Sequence, residues 1–351
     1  MLPFCWCVCA AVAAFILCSE AASDDAVVRG SYLAGRVETL RSVGGLPAHI
    51  AGAFEELAAC QLSPAGDYFV FDRRAHAVFS VPAAGNAPPK KVVAVGAEPG
   101  RVLRPMAFDF APDNTFVIAD APFGAQRVQV FFETGARLGG FSFPNTDAPL
   151  VTSGGLVVSG IGSLEYTGKS LFVSQPESGA LVSEYALDGR ALRTFGELRR
   201  TGQEQDRDVH IALNLGRIVV NPRGGFYYVF LGGVPLFRKF DTTGKLIFER
   251  HIQGVELDDY VRNLPTRWVE RRRASGELPI VMPSVRTAEA DADGNLWISL
   301  AVPYTYVYDG DGEKVRTVQF RAAGIMSPTG FFFAKDGRIL VTPGCYAFDS
   351  R

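Results

Sequence analysis

The sequence predicts an all-β protein, a six-bladed β-propeller of four-stranded antiparallel blades, and three observations carry that prediction. The first is a repeated phrase: an apolar strand, a Gly or Asp-Gly turn, a second strand, a third strand and another Gly-containing turn. It recurs at nearly constant spacing at Asp113-Asn114 with Gly135, Gly168 with Asp188-Gly189, Gly224 with Asp241 and Gly244, and Asp293-Gly294 with Asp311-Gly312. A small sheet of this kind cannot bury both of its faces alone, so self-similar units stack around a ring. Second, the short runs between turns are rich in Phe, Tyr and Val, the apolar density of strands covered on both faces. Third, no Pro/Ser-rich linker divides the 351 residues, which suits one large domain.

Each blade can be placed in turn. Blade one runs from about Glu56 to Val95, with strands near Ala58–Leu62, Tyr68–Phe71, Ala77–Val81 and Lys91–Val95. Blade two spans Met106 to Phe143 and blade three about Gly160 to Glu197. Blade four covers Arg217 to Arg250 and blade five Arg286 to Phe320. Blade six begins near Gly330 and reaches Asp349 with room for only three strands. Near the N-terminus, Gly35-Arg36-Val37-Glu38-Thr39-Leu40 is similar to Gly312-Glu313-Lys314-Val315-Arg316-Thr317, the turn and fourth strand of blade five. An N-terminal strand is therefore expected to complete the last blade and close the ring, as closure removes edges from a barrel.

Two segments, Arg104-Pro105-Met106-Ala107-Phe108-Asp109-Phe110-Ala111-Pro112-Asp113 and Asp291-Ala292-Asp293-Gly294-Asn295-Leu296-Trp297-Ile298, read as first strand, turn and second strand. Tyr306 to Gly312 and Phe237 to Lys245 read as third strand and turn. Together they resemble the repeats of the six-bladed NHL and TolB-like propellers of exported proteins. The resemblance covers nearly the whole mature chain. Blade one departs from it with Ala65-Gly66-Asp67, and blade three has no Asp before Gly168. These motifs build turns and carry no catalytic residue, so the resemblance implies a scaffold and no particular reaction.

Formal net charge is -2 with the two signs interspersed. No broad positive field exists to attract nucleic acid or an anionic membrane. Residues 1–22 read as a signal peptide: Leu2 to Cys18 is apolar and Ser19-Glu20-Ala21-Ala22 offers small residues for cleavage, although no Lys or Arg follows Met1. The alternative is an uncleaved membrane anchor. Residues 23–351 are then expected as a single propeller domain, monomeric, without a membrane span, in the periplasm or outside the cell. Of six cysteines, Cys5, Cys7, Cys9 and Cys18 lie in the leader. Cys60, in the first strand of the first blade, and Cys345, in the third strand of the last, pair only if their Cα atoms come within roughly 7 Å. Otherwise they are two buried thiols.

Strand alternation separates two faces. If the Gly-rich turns joining strands one to two and three to four share one face, the remaining connections emerge on the other. That second set includes the long ones, Gly96 to Arg104, Pro144 to Gly155, Leu198 to Asn214 and Gln253 to Val285. Binding residues concentrate in loops on a rigid scaffold, so this loop-rich face is the candidate site. Arg104 adjoins it, and Asp109 and Asp120 of blade two are candidates to line the central tunnel. The insertion at about 254–283 opens with Glu256, Asp258 and Asp259. Its stretch from Trp268 to Arg273 is expected to form one or two helical turns across the face as a lid. Arg271, Arg272 and Arg273 there suit a carboxylate or phosphate, whose oxygens fit the guanidinium fork.

The four histidines map to the same face: His49 before blade one, His76 in its second-to-third loop, His210 before blade four and His251 after it. Imidazoles are common ligands of divalent metals and serviceable general bases, although none of these shows close ligand spacing. Glu204, Asp206 and Asp208 crowd near His210. Asp309-Gly310-Asp311-Gly312 lacks the longer loop and terminal Glu of an EF-hand and reads as a hairpin turn. No GxSxG, Walker loop, HExxH or CxxC occurs in the mature chain. The expectation is a non-catalytic exported propeller binding a protein, peptide or glycan partner through its loop-rich face. The alternative is a metal-assisted lyase or hydrolase similar to streptogramin lyases, lactonases or peptidyl-amidoglycolate lyases, with loop histidines at the central pocket. A third reading is a sensor or assembly component of an envelope complex, tethered by its leader.

Overall fold

Short β-rich runs separated by turn residues pair with their sequence neighbours, and six antiparallel four-stranded sheets result. The computed structural model describes residues 36–350 apart from 85–86, 144–150, 154–155, 159–160, 162, 266–269 and 274–275. The leader expected over residues 1–22 lies outside the described residues. The inner strands of blades one to six are Leu57–Leu62, Pro105–Phe110, Leu164–Tyr166, Gly216–Val220, Val285–Ala290 and Gly330–Phe333. The second strands, such as Thr115–Asp120 and Phe226–Phe230, are buried along their whole length because neighbouring blades cover both sides.

The core is divided among the blade interfaces. Phe69, Phe71, Phe108, Phe110, Phe116 and Phe131 fill the space between blades one and two, with the Phe116 and Phe131 rings stacked 5.2 Å apart. Phe172, Phe195, Phe226 and Phe240 do the same between blades three and four. Full burial of a side chain of this size contributes about 1.5–3 kcal/mol. The acidic turns are closed by their own backbone. Asp309 Oδ1 accepts hydrogen bonds from the amides of Asp311 and Glu313, and Gly312 takes the left-handed conformation at φ 83°.

The ring closes with an N-terminal strand, but not with the residues whose sequence resembles an outer strand. Gly44–Gly45 pairs antiparallel with Tyr346–Asp349 and completes blade six. Val37–Arg41 instead runs parallel to Lys314–Arg321, a fifth strand on the outside of blade five. Side chains hold it there: Glu38 accepts two hydrogen bonds of 2.9 Å from Arg316, and Leu40 joins Phe320 and Phe348 in the cluster between blades five and six. Cys60 and Cys345 are joined as a disulfide with Cα atoms 5.7 Å apart, linking blade one to blade six. Cys345 lies in the turn before the third strand of its blade rather than within the strand.

Long connections on one face assemble a second, smaller sheet. Val151–Ser153 pairs antiparallel with Leu156–Val158 and parallel with Gly276–Val281, which in turn pairs with Glu270–Arg273. The helix Arg207–Asn214 packs Val209, Ala212 and Leu213 against Val281. Of the stretch Trp268–Arg273 expected to form helical turns, residues 270–273 are a strand, and 268–269 lie outside the described residues. Ladder bonds to Gly276–Val281 override the helix propensity of Glu and Arg, which is worth only tenths of a kcal/mol per residue. The helix of this insertion comes earlier, at Val255–Arg262, with Leu257 buried between blades four and five. Among the described residues no helix is long and apolar enough to cross a membrane.

Candidate functional site

The pairing registers let the six inner strands be superposed residue for residue. The last ladder pairs before the first turn are Leu62↔Tyr68, Phe110↔Phe116, Tyr166↔Leu171, Val220↔Phe226, Ala290↔Leu296 and Phe333↔Ile339. One residue earlier, the blades carry in order Gln61, Asp109, Glu165, Val219, Glu289 and Phe332. Two residues before those stand Ala59, Ala107, Ser163, Arg217, Thr287 and Gly330, and all six line one cavity of about 130 Å³. A space touched by equivalent positions of every blade lies on the propeller axis. It exists because five of those six side chains are small, and it lies toward the inner-strand starts, where the long connections arrive.

Polar groups at these positions tie neighbouring blades together from blade one to blade five. Gln61 accepts a hydrogen bond from the Phe110 amide at 2.7 Å and donates to Asp109 at 3.0 Å. Asp109 accepts from the Tyr166 amide at 2.7 Å. Ser163 donates to the Gly216 carbonyl and accepts from the Ile218 amide. Arg217 Nη2 stands 3.5 Å from Glu165 Oε1 and 3.6 Å from Glu289 Oε2, so one guanidinium serves two carboxyls directly and acts on a third, Asp109, through its charge. The side chains keep limited exposure, 28 % for Arg217, 20 % for Glu289 and 11 % for Glu165, and of the three Arg217 lines the cavity.

Burial and mutual repulsion favour protonation here. Loss of water, then the charges of Glu289 and Asp109, pushes Glu165 well above the ordinary carboxyl range. Burial likewise lifts Glu289 to about 7 against the pull of Arg217, and lifts Asp109 despite its hydrogen bonds. Burial opposes the charge of Arg217, but Glu165, Glu289 and Asp109 together hold it in the guanidinium form. Glu165 Oε1 and Arg217 Nε are buried without a hydrogen-bond partner. Around Arg217 the axis therefore gathers carboxyls inclined to hold their protons and a guanidinium that stays charged.

Of the residues singled out from sequence, Asp109 belongs to this group and Asp120 does not. Asp120 is fully buried, accepts from the Leu103 amide at 2.9 Å and pairs with Arg127 at 2.7 Å, fixing the connection that enters blade two. Arg104 is exposed beside it in a left-handed conformation, φ 57°. Arg271, Arg272 and Arg273 lie on an edge strand of the small sheet. His49 is in the helix Ala48–Ala51, His76 in the second-to-third turn of blade one, His210 in the helix Arg207–Asn214, and His251 ends the outer strand of blade four. His210 Nδ1 is 2.7 Å from Thr201 Oγ1 and 4.0 Å from Glu204, which itself accepts from the Thr201 amide. Asp206 caps the His210 helix through the Val209 amide. Among the described residues no three His, Cys, Asp or Glu side chains gather where they could hold a metal ion.

A second opening was not anticipated from the sequence. A groove of about 750 Å³ is walled by Arg199 to Gln203, the turn at Gly233-Val234, the end of the outer strand of blade four, and Val261 to Pro265. Arg199 organises it by donating to the carbonyls of Leu213, Gly232 and Val234 at 2.6, 2.6 and 3.0 Å. Its guanidinium lies 4.4 Å from the Phe230 ring centre, and that of Arg238 lies 5.3 Å from it. Burial lowers Arg199 to about 10, which leaves it charged at neutral pH. The only sequence signal was the pair Arg199-Arg200 within a long connection. The opposite face is not featureless either: Leu62, Phe110, Phe332 and Phe333 wall an apolar cleft of about 320 Å³ between its turns.

No protein-family model and no curated protein sequence matches the chain. Solved structures do. A gluconolactonase from Xanthomonas campestris aligns with TM-score 0.51 at 12 % identity over 88 % of this chain and 87 % of its own. Virginiamycin B lyase from Staphylococcus aureus gives 0.49 at 13 % identity over 81 % and 76 %, and BamB from Moraxella catarrhalis 0.40 at 12 % over 83 % and 71 %. At such identities the likeness concerns the fold, and the chain is a six-bladed propeller.

Proposed function

We propose that this chain is an exported, non-catalytic binding propeller of the NHL or TolB-like kind, monomeric, which takes a protein, peptide or glycan partner on its loop-rich face. The carrying observation is the 750 Å³ groove, within the range of ligand sites and walled by connections that all emerge on that face. The Cys60–Cys345 disulfide supports export, because such bonds persist in oxidising compartments. A photo-crosslinking residue in place of Val255, exposed on the loop-rich face, is expected to trap the partner in the source cell. The same residue at Thr243, in a turn of the opposite face, is expected to trap nothing. Adducts from Thr243 alone would overturn the reading.

A lyase or hydrolase is the second reading. Its support is the group of raised carboxyls around Arg217, itself a lining residue of the axial cavity, among which Glu289 resembles groups used for acid-base work. Arg217 already stands among these carboxyls, so a divalent ion would have to compete with it. Metal analysis of the purified protein, before and after chelation and reloading, tests the metal-assisted form. Near-unit retention would move it to the front.

A further inference from the structure

The 750 Å³ groove has a composition that narrows its occupant, given the loop-rich face as the binding surface. Four arginines line it, Arg199, Arg200, Arg238 and Arg262, against the single carboxylate Glu249. The whole chain carries a formal charge of -2, so the groove is positive against the trend of the molecule. Leu213, Val234, Val261 and Leu264 give the wall an aliphatic part beside the polar Thr201, Gln203 and His251, and no Phe, Tyr or Trp lines it. Sugar rings are bound largely by stacking on aromatic faces, whereas aliphatic walls fit aliphatic side chains.

The arginines divide into two kinds. Arg199 is committed to three carbonyls, and Arg238 to Glu249 and the Glu197 carbonyl. These two set the field and stay in place. Arg200 is exposed and makes no hydrogen bond or ion pair with the described residues. Among the described residues Arg262 ion-pairs with Asp259 alone and donates a long 3.4 Å hydrogen bond to the Asp258 carbonyl, and the Arg262 and Asp259 side chains are 73 % and 89 % exposed. Such an exposed pair is weak and exchanges readily for another carboxylate. The helix bearing Arg262 is anchored by a hydrogen bond from Tyr260 to the Pro283 carbonyl and another from Tyr306 to Glu256.

We propose that the groove binds an extended acidic segment of a protein partner, its aliphatic side chains against Leu213, Val234, Val261 and Leu264 and its carboxylates on Arg200 and Arg262. The site rests on the loop-rich-face reading and adds the chemistry of the partner.

The test is fluorescence anisotropy on the full chain with three labelled peptides, alternating Glu-Leu, Gln-Leu and Lys-Leu. The Glu-Leu peptide is expected to bind tightest, the Lys-Leu peptide weakest, with affinity falling as salt screens the contacts. The double variant Arg200→Glu/Arg262→Glu is expected to weaken the Glu-Leu complex roughly tenfold or more. Both side chains are exposed, so its thermal melt should match the parent's. Equal binding of the three peptides, an unaffected double variant, or a polyuronate that binds where the acidic peptide does not would each overturn the inference. A partner still crosslinked from Val255 in the double variant sinks this groove and leaves the face reading standing. Adducts from Thr243 alone sink both.

Discussion

Arg217 Nη2 stands 3.6 Å from Glu289 Oε2, so the neighbouring blades four and five are joined beside the propeller axis as well as through their packed faces. The same guanidinium reaches Glu165 of blade three. Stability should therefore respond to pH through the carboxyls around it.

Glu289 titrates at about 7, against 4.5 for a free side chain, chiefly because it is buried. Between those values the folded protein holds a proton that the unfolded chain has released. Stability is then expected to fall as pH rises from about 4.5 to about 7 and to level off above, by roughly 3 kcal/mol at most. Glu165 and Asp109, both raised, act in the same direction. Asp241, held low by its Thr243 hydrogen bonds, acts oppositely and only at more acidic pH. Urea midpoints measured across this window should decline, and Glu289→Gln should flatten the decline.

Arg217→Met removes the only cation from this group of carboxyls. Loss of one partner of a buried pair is expected to cost about 3–5 kcal/mol. Acidification should restore part of the loss by neutralising the carboxyls, which a simple packing defect would not do. Denaturation of the variant at two pH values separates the explanations.

Asp120→Ala should be equally severe for a different reason. Its carboxylate satisfies the Leu103 amide and the nearly buried Arg127, and the variant leaves both without that partner. A loss of about 3–5 kcal/mol is expected by urea denaturation. A cost under about 1 kcal/mol would show that Asp120 is not the clamp described.

Gly45 and Gly44 make a matched pair of probes for the closing strand. Gly45 has φ 114°, and a Cβ there would run into the Cys345 carbonyl, whereas a Cβ on Gly44 meets nothing within 4 Å. Gly45→Ala should lower Tm clearly more than Gly44→Ala. Equal effects would mean that residues 44–45 do not close blade six.

The disulfide makes a separate prediction. Replacing Cys60 and Cys345 by Ser is expected to cost about 2–5 kcal/mol, since the bond restrains an unfolded chain over a separation of 285 residues. Thermal melts with and without reductant should show the same difference in the parent and none in the variant.

Much of this architecture was legible because turn chemistry is local. Asp241 with Gly244 and Asp309 with Gly312 mark their hairpins without any distant contact. The axial group was only half legible. Asp109 was placed on the tunnel, but Glu165, Arg217 and Glu289 become its equivalents only once ladder registers align the strands. Arg199 was harder still, since its carbonyl partners come from the end of a helix and from the second-to-third turn of blade four. Arg271 to Arg273 show the limit of local periodicity: pairing with Gly276–Val281, not residue preference, decides their conformation. The closing strand misled for a related reason. The sequence from Gly35 to Leu40 does resemble an outer strand, and Val37–Arg41 joins the edge of the blade it resembles.

That placement has a consequence for how the molecule is made. Val37–Arg41 and Gly44–Gly45 find their partners at Lys314–Arg321 and Tyr346–Asp349, more than two hundred residues downstream. During vectorial synthesis the earliest strands must wait for the latest, while the exposed edges of the first blades could pair with the wrong chain. Blades one to four can form as they emerge, but the circle is an all-or-none event of the final stretch. A chain arrested shortly before Lys314 should thus be a client for chaperones, however complete its individual blades.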